Sequence, residues 1–282
     1  MLSALLTVAP ILPSLAACAQ PAARGPRTGD TYEIAIDRES QEQSNHGSTG
    51  SSSDRDTIVA RVTAVRDGGV ELEYDFPKDT PSDERAGTWQ LPARVFRPAQ
   101  GPTRLINRSE LEARVDPWLK AGGMTRAACG HAIFTWNVFR IECDPDSAIG
   151  IIEHYDPAPP ELRDGALYRD PTALAAAPLK KSADGKAFVV QLAIDPERIR
   201  KERVEADLTI AEISHKPLTA QDARRAHANE AISGTIVITF DMDRAGEVSR
   251  RIKVTTVKIV APNGRSDMKT ITETMVRRRL SS

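Results

Sequence analysis

The sequence predicts an α+β protein that is mainly antiparallel β, with long-stranded meanders, short helices and two associated lobes. Three observations lead to this class. Apolar and polar residues alternate over long runs near both ends of the chain, which is typical of half-buried strands. Segments rich in glycine, proline, aspartate and asparagine separate these runs, as hairpin turns require. Helix-start signals are concentrated in the middle of the chain.

The N-terminal half is predicted to consist mostly of strands. Residues Thr31–Asp37 alternate between apolar and other side chains, which predicts a half-buried strand. Residues 40–54 are serine-rich and nearly free of apolar side chains, so they form either a mobile loop or the exposed tip of a long hairpin. An Asp-Gly-Gly turn between Thr57–Val65 and Val70–Phe76 gives the clearest hairpin signal of this half, and Trp89–Phe96 is expected to add a strand.

Helices are predicted in the middle of the chain. Ser109 and Glu112 have the spacing of a capping box, and Pro117 is expected to stop or kink that helix within two turns. Asp-Pro pairs place proline at a first helical position, where its missing N–H has no cost. Such pairs begin at Asp144, Asp170 and Asp195.

The C-terminal half is predicted to return to strands after residue 186. Strands are expected at Phe188–Ile194 and Val204–Ile213, followed by a surface helix at Thr219–Glu230. The remaining chain predicts a three-stranded antiparallel meander formed by Ile232–Asp241, Val248–Val260 and Met268–Leu280. In the middle strand of the meander the apolar residues change face, which predicts a bulge near Thr255 and Thr256.

The first 19 residues predict that the protein is exported from the cytoplasm. Residues 1–19 carry no charged side chain and are too short and too interrupted by proline for a membrane-spanning helix, so we expect a cleaved signal peptide. Leu15–Cys18 resembles a lipobox in which Cys18 is acylated, whereas Ala17-Cys18-Ala19 equally fits an ordinary secretion site. Both alternatives place the protein in the periplasm. Acylation with Ala19 as the next residue favours an outer-membrane lipoprotein.

The predicted domain organisation follows from these elements. Residues 20–30 are rich in small residues and proline, and they are expected to form a tether. Residues 31–180 form the N-terminal β-rich lobe with its helical middle segment, and residues 181–282 form the C-terminal meander lobe. The boundary between the two lobes is placed here because two nearby segments, residues 156–160 and 177–182, have the composition of linkers.

The cysteine count predicts one disulfide. Of the three cysteines, Cys18 is assigned to the signal or the lipid, which leaves Cys129 and Cys143 as a pair in an oxidising compartment. Their Cα atoms would have to come within about 7 Å, so the chain between them must double back. We expect a helical turn over 125–136 and then a strand over 138–143. The alternative is that both are unpaired thiols on one apolar helix face.

Composition excludes several classes of protein. The 282 residues include 38 Lys+Arg and 39 Asp+Glu, and 40% are hydrophobic. These values exclude an obligate nucleic-acid binder, a multi-span membrane protein and a wholly disordered chain. Only 13 residues are aromatic (6 Phe, 4 Tyr and 3 Trp), which argues against stacking platforms for sugars or bases.

No motif predicts a catalytic centre or a metal site. The five histidines lie in separate segments, and only Cys129 and His131 have metal-like spacing, without two further ligands nearby. A thiol enzyme using this pair is disfavoured because nucleophile and base are normally distant in sequence. Residues 241–252 resemble a calcium loop only in outline, since Ala245 and Ile252 occupy ligand positions. We expect no catalytic residue, no metal and no cofactor.

Arginine clusters give one candidate binding surface. On strands such charges usually face water or protect a sheet edge. The meander could also bring two clusters together as a basic patch for lipid head groups or acidic envelope polymers. The candidate residues are Arg250, Arg251, Arg277, Arg278 and Arg279.

Three parts of the chain resemble those of uncharacterised exported proteins of Gram-negative bacteria, some of them lipoproteins. They are Phe139–Pro145, Gly165–Pro171 and the closing meander. The resemblance covers most of the mature chain and implies no activity, because no chemistry is assigned to that group. In architecture alone, long antiparallel strands with few helices are also similar to half-barrel lipid-carrying folds of the periplasm.

The leading functional hypothesis is a non-catalytic exported envelope protein with a binding role and an unidentified envelope partner. Contact with the membrane is expected only through the N-terminal lipid. The first alternative is a periplasmic carrier of a small apolar ligand or lipid. The second is a periplasmic hydrolase whose catalytic residues are dispersed along the chain.

Overall fold

One ten-stranded antiparallel sheet organises the residues that the computed structural model describes, which are 25–134, 138–156 and 161–281. In chain order the strands are β1 (Thr31–Ser44), β2 (Thr49–Arg66), β3 (Gly69–Asp75), β4 (Ala93–Pro98), β5 (Arg104–Leu105), β6 (Ala132–Phe134), β7 (Val138–Arg140), β8 (Leu167–Tyr168), β9 (Ala177–Pro178), β10 (Lys180–Lys181), β11 (Ala187–Ala193), β12 (Ala231–Met242), β13 (Val248–Val260) and β14 (Ser266–Ser281). The helices are α1 (Ser82–Gly87), α2 (Arg108–Ala121), α3 (Ser147–His154), α4 (Pro196–Ile213) and α5 (Ala220–His227).

The strand order brings the two ends of the chain together. The large sheet runs β10-β11-β12-β13-β14-β1-β2-β3-β4-β5, while β6-β7 and β8-β9 form separate two-stranded sheets. The first strand therefore pairs with the last, with Ile36 opposite Met275. The predicted strands of the N-terminal half, the strand after residue 186 and the closing meander are confirmed, and one further strand prediction in the C-terminal half is wrong. Residues 40–54 form the tip of the β1–β2 hairpin, which decides between the two alternatives for this segment.

Two groups of buried apolar side chains lie on one face of the sheet, which we call the inner face. The N-terminal cluster includes Tyr32, Ile34, Ile36, Ile58, Val62, Val95, Leu111, Ile152 and Met275. The C-terminal cluster includes Phe188, Val190, Leu192, Ile236, Ile238, Phe240 and Val257. One sheet thus spans both predicted lobes, and the division into two lobes at residue 180 stays a prediction. Residues 177–182 form β9 and β10 rather than a linker, and residues 157–160 lie outside the described residues.

The prediction of a strand over Val204–Ile213 is wrong, because this segment is the second half of α4. Asp195 caps the helix by accepting a hydrogen bond from the Glu197 N–H at 2.9 Å, and Pro196 follows at the first helical position. Ion pairs four residues apart, such as that between Arg198 and Glu202 at 2.9 Å, stabilise the exposed face. The β-branched residues that suggested a strand are too few to override these signals.

Predictions about the other helix starts fail in part. The capping box is absent, because α2 begins at Arg108 after Asn107, whose amide oxygen accepts from the Arg94 N–H at 2.8 Å. Pro117 does not end α2, because the fully buried side chains Leu111, Val115 and Leu119 hold the turns on both sides of it against the core. The helix predicted after the Asp-Pro pair at 144 is confirmed, but Pro145 is not its first residue, because α3 begins at Ser147 after the N-cap Asp146. No helix begins at Asp170.

The predicted bulge at Thr255 and Thr256 is wrong. The register of β13 is regular at these residues on both sides, and the irregularity lies between Asp241 and Met242. The apolar residues of β13 change face for another reason. Its inner-facing positions are charged at Arg251 and Lys253, where the two clusters meet, and become apolar only at Val257.

Candidate functional site

A groove of about 650 Å³ lies between α4 and the inner face of the central strands. We call it the central groove. Its wall is formed by side chains of α4, and its floor by β13, β14 and β1. The β1 side chains that line it follow directly after the apolar series Tyr32, Ile34 and Ile36, where the N-terminal cluster ends.

The floor changes in polarity from one side to the other. Successive inner-facing rungs contain Arg38, Glu273 and Lys253; then Ile271 and Thr255; then Glu42, Lys269 and Val257; and finally Ser44, Asp267 and Ile259. On the side formed by β13, Val257 and Ile259 are apolar whereas Lys253 and Thr255 are polar, and Ile199 and Ala206 of α4 add apolar surface. The side formed by β1 is charged or polar. An amphipathic molecule matches this division.

Ion pairs hold most of the charged lining in place. Lys253 donates a hydrogen bond of 2.6 Å to Asp170, whose side chain is only 4% exposed. Burial alone would raise the pKa of Asp170, but hydrogen bonds from Lys253 and Thr172 outweigh burial and lower that pKa. Glu273 lies 2.7 Å from Arg251 and 4.0 Å from His154. These charges separate the N-terminal cluster from the C-terminal cluster.

The wall helix α4 is fixed to α5 by a buried histidine. The His227 side chain is 8% exposed, with Nε2 at 2.8 Å from Asp207 and Nδ1 at 3.0 Å from Glu230. Arg203, which lines the groove, pairs with Glu230 at 3.0 Å, and Arg200 donates to the backbone oxygen of His227 at 3.2 Å. The two helices therefore pack together through polar contacts, and each also buries a small apolar side chain, Val204 on α4 and Ala223 on α5.

The other end of α4 contacts the segment closed by the disulfide. Cys129 and Cys143 are bonded with their Cα atoms 5.7 Å apart, which confirms the predicted bridge. Within the segment, His131 Nδ1 lies 3.0 Å from Glu212, and the Ala132 N–H donates to the same carboxylate at 3.3 Å. These contacts lower the pKa of Glu212. The predicted helical turn is confirmed only at Arg126–Ala128, because Ala132–Phe134 form β6, which pairs with β7 in a short hairpin. The predicted strand over 138–143 ends at Arg140, and residues 135–137 lie outside the described part.

The sheet does not bring the five predicted arginines into one patch. Arg250 and Arg278 point to the outer face, and Arg251, Arg277 and Arg279 to the inner face. All five form ion pairs. Arg250 pairs with Asp241, Arg251 with Glu273, Arg277 with Glu247, Arg278 with Glu33 and Arg279 with Asp30.

Other predicted features lie apart from the groove or outside the described residues. Cys18 and residues 1–24 are not described, so lipidation stays a prediction. Among residues 25–134, 138–156 and 161–281, no three His, Cys, Asp or Glu side chains are placed to share a metal ion. Within the same residues, no helix has the length and apolar character needed to cross a bilayer.

Sequence reasoning did not identify the central groove. Its wall belongs to a segment that was predicted partly as a strand, and its floor combines residues from β1 and β14, which are more than 200 positions apart. One signal was present in the sequence. Arg38 continues the apolar alternation of Tyr32, Ile34 and Ile36, so a charge occupies the face that was predicted to be buried.

Comparisons with known proteins give little further information. The sequence matches no family model and no curated protein. A solved structure of lipovitellin, reported for its lipid–protein interactions, is similar with a TM-score of 0.38 and 8% identity over 91% of this chain and 26% of that chain. The dehydratase domain from the CurF module of curacin polyketide synthase has a TM-score of 0.15 and 12% identity over 88% of this chain and 77% of that chain. At these TM-scores neither similarity supports a functional conclusion.

Proposed function

We propose that the protein binds a small amphipathic ligand in the central groove and acts as a carrier or receptor for it. The observation that carries this proposal is the division of the groove into an apolar side, with Val257, Ile259 and Ile271 on the floor, and a charged side along β1. The proposal selects the carrier hypothesis among the three that the sequence left open.

Size and composition of the groove support a ligand of this kind. A volume of about 650 Å³ falls within the roughly 300–1,000 Å³ that is usual for small-molecule sites. Each methylene group transferred from water to the apolar side would contribute about 0.8 kcal/mol. The ordered charges at Lys253 and Glu273 would orient a polar head without a large reorganisation, because both already have partners.

The same ion pairs argue against the hydrolase hypothesis. Hydrolysis by side chains needs a nucleophile with a base in reach, or two carboxylates on opposite sides of a substrate. The carboxylates of Glu42 and Glu273 that line the groove are paired with Lys269 and Arg251 instead. The Ser44 hydroxyl donates a hydrogen bond of 2.5 Å to Asp267 in the groove, but His46 Nε2 lies 3.9 Å from that carboxylate, beyond hydrogen-bond distance. The His46 and Asp267 side chains are 49% and 56% exposed, so these residues do not form a desolvated nucleophile and base, and binding is the better-supported function.

Location outside the cytoplasm is part of the proposal. Its support is the uncharged apolar stretch of residues 1–19 and the lipobox-like Leu15–Cys18. Mass spectrometry of the mature protein decides between an acylated Cys18 and an unmodified N-terminus at Gln20. Cys18→Ala is expected to move an acylated protein from the membrane fraction to the soluble fraction.

Two adjacent threonines provide the test of binding. Thr255 lines the groove, whereas Thr256 is the next residue of β13 and points to the outer face. Thr255→Trp should fill the groove and weaken binding of a fluorescent single-chain amphiphile at least tenfold, while Thr256→Trp should leave binding unchanged. Thermal denaturation of both variants checks that they fold. Equal binding by both folded variants, or no binding by the wild-type protein, would contradict the proposed function.

A further inference from the structure

The charged lining of the central groove contains one cation whose side chain has no partner in the described part of the chain. Arg203, Lys253 and Lys269 are paired with Glu230, Asp170 and Glu42. Among the acids, Glu202 pairs with Arg198, and Asp267 accepts a hydrogen bond of 2.5 Å from Ser44. Arg38 is exposed and makes no such contact with any described residue.

Arg38 lies between two carboxylates of the neighbouring strands and forms an ion pair with neither of them. Its inner-face neighbours across the strands are Glu273 on β14 and Asp54 on β2. Glu273 is already held by Arg251 at 2.7 Å, and Asp54 does not line the groove. The Arg38 guanidinium is therefore the charged group that a molecule in the groove would meet without first breaking an ion pair.

We propose that the ligand of the central groove is a single-chain amphiphile with an anionic head group, and that Arg38 determines this specificity. This inference rests on the proposed function. A guanidinium can donate two parallel hydrogen bonds to a phosphate or carboxylate, which gives it geometric selectivity that a lone ammonium lacks. The chain would extend from Arg38 along the rungs of Ile271, Val257 and Ile259 beneath α4. The groove volume of about 650 Å³ suits one chain, because it is that of a site for a drug-sized molecule.

Lysophosphatidylglycerol and lysophosphatidylcholine of equal chain length are suitable probes, because they differ in net head-group charge. Titration calorimetry below the micelle concentration would measure both affinities for the wild-type protein, for Arg38→Gln and for a control, Arg55→Gln. Arg55 belongs to the same hairpin as Arg38 but points to the outer face, where it is 70% exposed and pairs with Asp37 at 3.5 Å.

The wild-type protein should bind the anionic probe about tenfold more tightly than the zwitterionic probe, a difference of about 1.4 kcal/mol. Arg38→Gln should remove this preference and leave the affinity for the zwitterionic probe unchanged, while Arg55→Gln should retain the preference. The preference should also decrease as ionic strength rises. The Asp54→Asn variant should preserve or increase the preference for the anionic probe, because the substitution removes the carboxylate that lies opposite Arg38 on β2.

Three results would overturn the inference. Equal binding of both probes by the wild-type protein, with Thr255→Trp blocking both, would remove the anionic specificity but keep the proposed function. If the Arg38→Gln variant still preferred the anionic probe, another cation would be responsible for the preference. Failure of both probes to bind the wild-type protein would contradict the proposed function as well.

Discussion

The two halves of the inner face are covered in different ways. Over the N-terminal half, α2 and α3 bury Leu111, Val115 and Ile152 completely against the sheet. Over the C-terminal side, α4 buries only Val204 and Ala211 along its 18 residues, and the central groove lies beneath it. The first half is closed by side-chain packing, and the second leaves a space between the helix and the sheet. We therefore assign the tighter packing of helices on the sheet to the N-terminal half and the proposed ligand groove to the space beneath α4.

Truncation of one apolar residue in each half tests this assignment most directly. Leu111 is fully buried on α2, whereas Ile199 is a half-buried residue of the groove wall. Leu111→Ala should lower the free energy of unfolding by about 3 kcal/mol, because it opens a cavity in a packed core. Ile199→Ala should lower it by less than about 1 kcal/mol and should weaken amphiphile binding instead. Chemical denaturation and binding titrations measure the two effects, and the reverse order of stability loss would contradict the comparison.

The disulfide is the second feature that closes the N-terminal half. Cys129 and Cys143 both pack against the N-terminal cluster and are 14 positions apart in the sequence. Replacing both with serine should lower the free energy of unfolding by about 3 kcal/mol on the chain-entropy model. Denaturation curves with and without reductant provide the measurement. Reductant should destabilise the wild-type protein and leave the double variant unaffected. If the wild-type protein and the double variant gave equal denaturation curves under oxidising conditions, the bridge would not stabilise the fold.

The ion pair of Asp170 and Lys253 at the edge of the groove predicts a pH-dependent effect. Asp170→Asn should cost about 2 kcal/mol at neutral pH, because Lys253 loses its charged partner. The folded-state pKa of Asp170 is lowered, so its contribution is complete above the unfolded value of about 3.9 and is lost as pH falls through the folded-state pKa. The difference between the variant and the wild-type protein should therefore shrink below about pH 4.

An exposed pair gives the control for this prediction. Glu161 pairs with Arg163 at 2.8 Å, and both side chains are more than half exposed. Glu161→Gln should change stability by less than about 0.5 kcal/mol at any of these pH values. A cost for Asp170→Asn that is as small as this, or one that grows on acidification, would contradict the role given to the buried pair.

The smallest effect is expected on the outer face, at an arginine of the predicted basic patch. Arg278 pairs with Glu33 and is 66% exposed, whereas its neighbour Arg279 points inward to the buried carboxylate of Asp30. Arg278→Ala should change the free energy of unfolding by less than about 0.5 kcal/mol. Arg279→Ala should be more damaging, because it leaves Asp30 without its charged partner. If Arg278→Ala proved the more damaging, the outer face would have a role that the ion pairs do not explain.

Much of the sheet could be predicted from local sequence, and the central groove could not. Strands β1, β12, β13 and β14 alternate clearly because one of their faces is buried over part of each strand, and that pattern is visible without knowledge of the partners. The groove combines residues from strands at opposite ends of the chain with a helix that was partly misassigned. Arg38 was visible as an irregularity in an apolar series, but its free guanidinium depends on Arg251 occupying Glu273.

The sequence by itself determined the class of the fold and the long strands at both ends of the chain, and it favoured the pairing of Cys129 with Cys143 over two free thiols. These features depend on local periodicity, turn residues and a count of thiols. Only the tertiary structure decided that the first strand pairs with the last, that the five arginines are divided between two faces, and that a charged row separates the two apolar clusters. The physical reason is that strand order and ion pairing join residues far apart in sequence, where a local pattern of side chains carries no information about the partner.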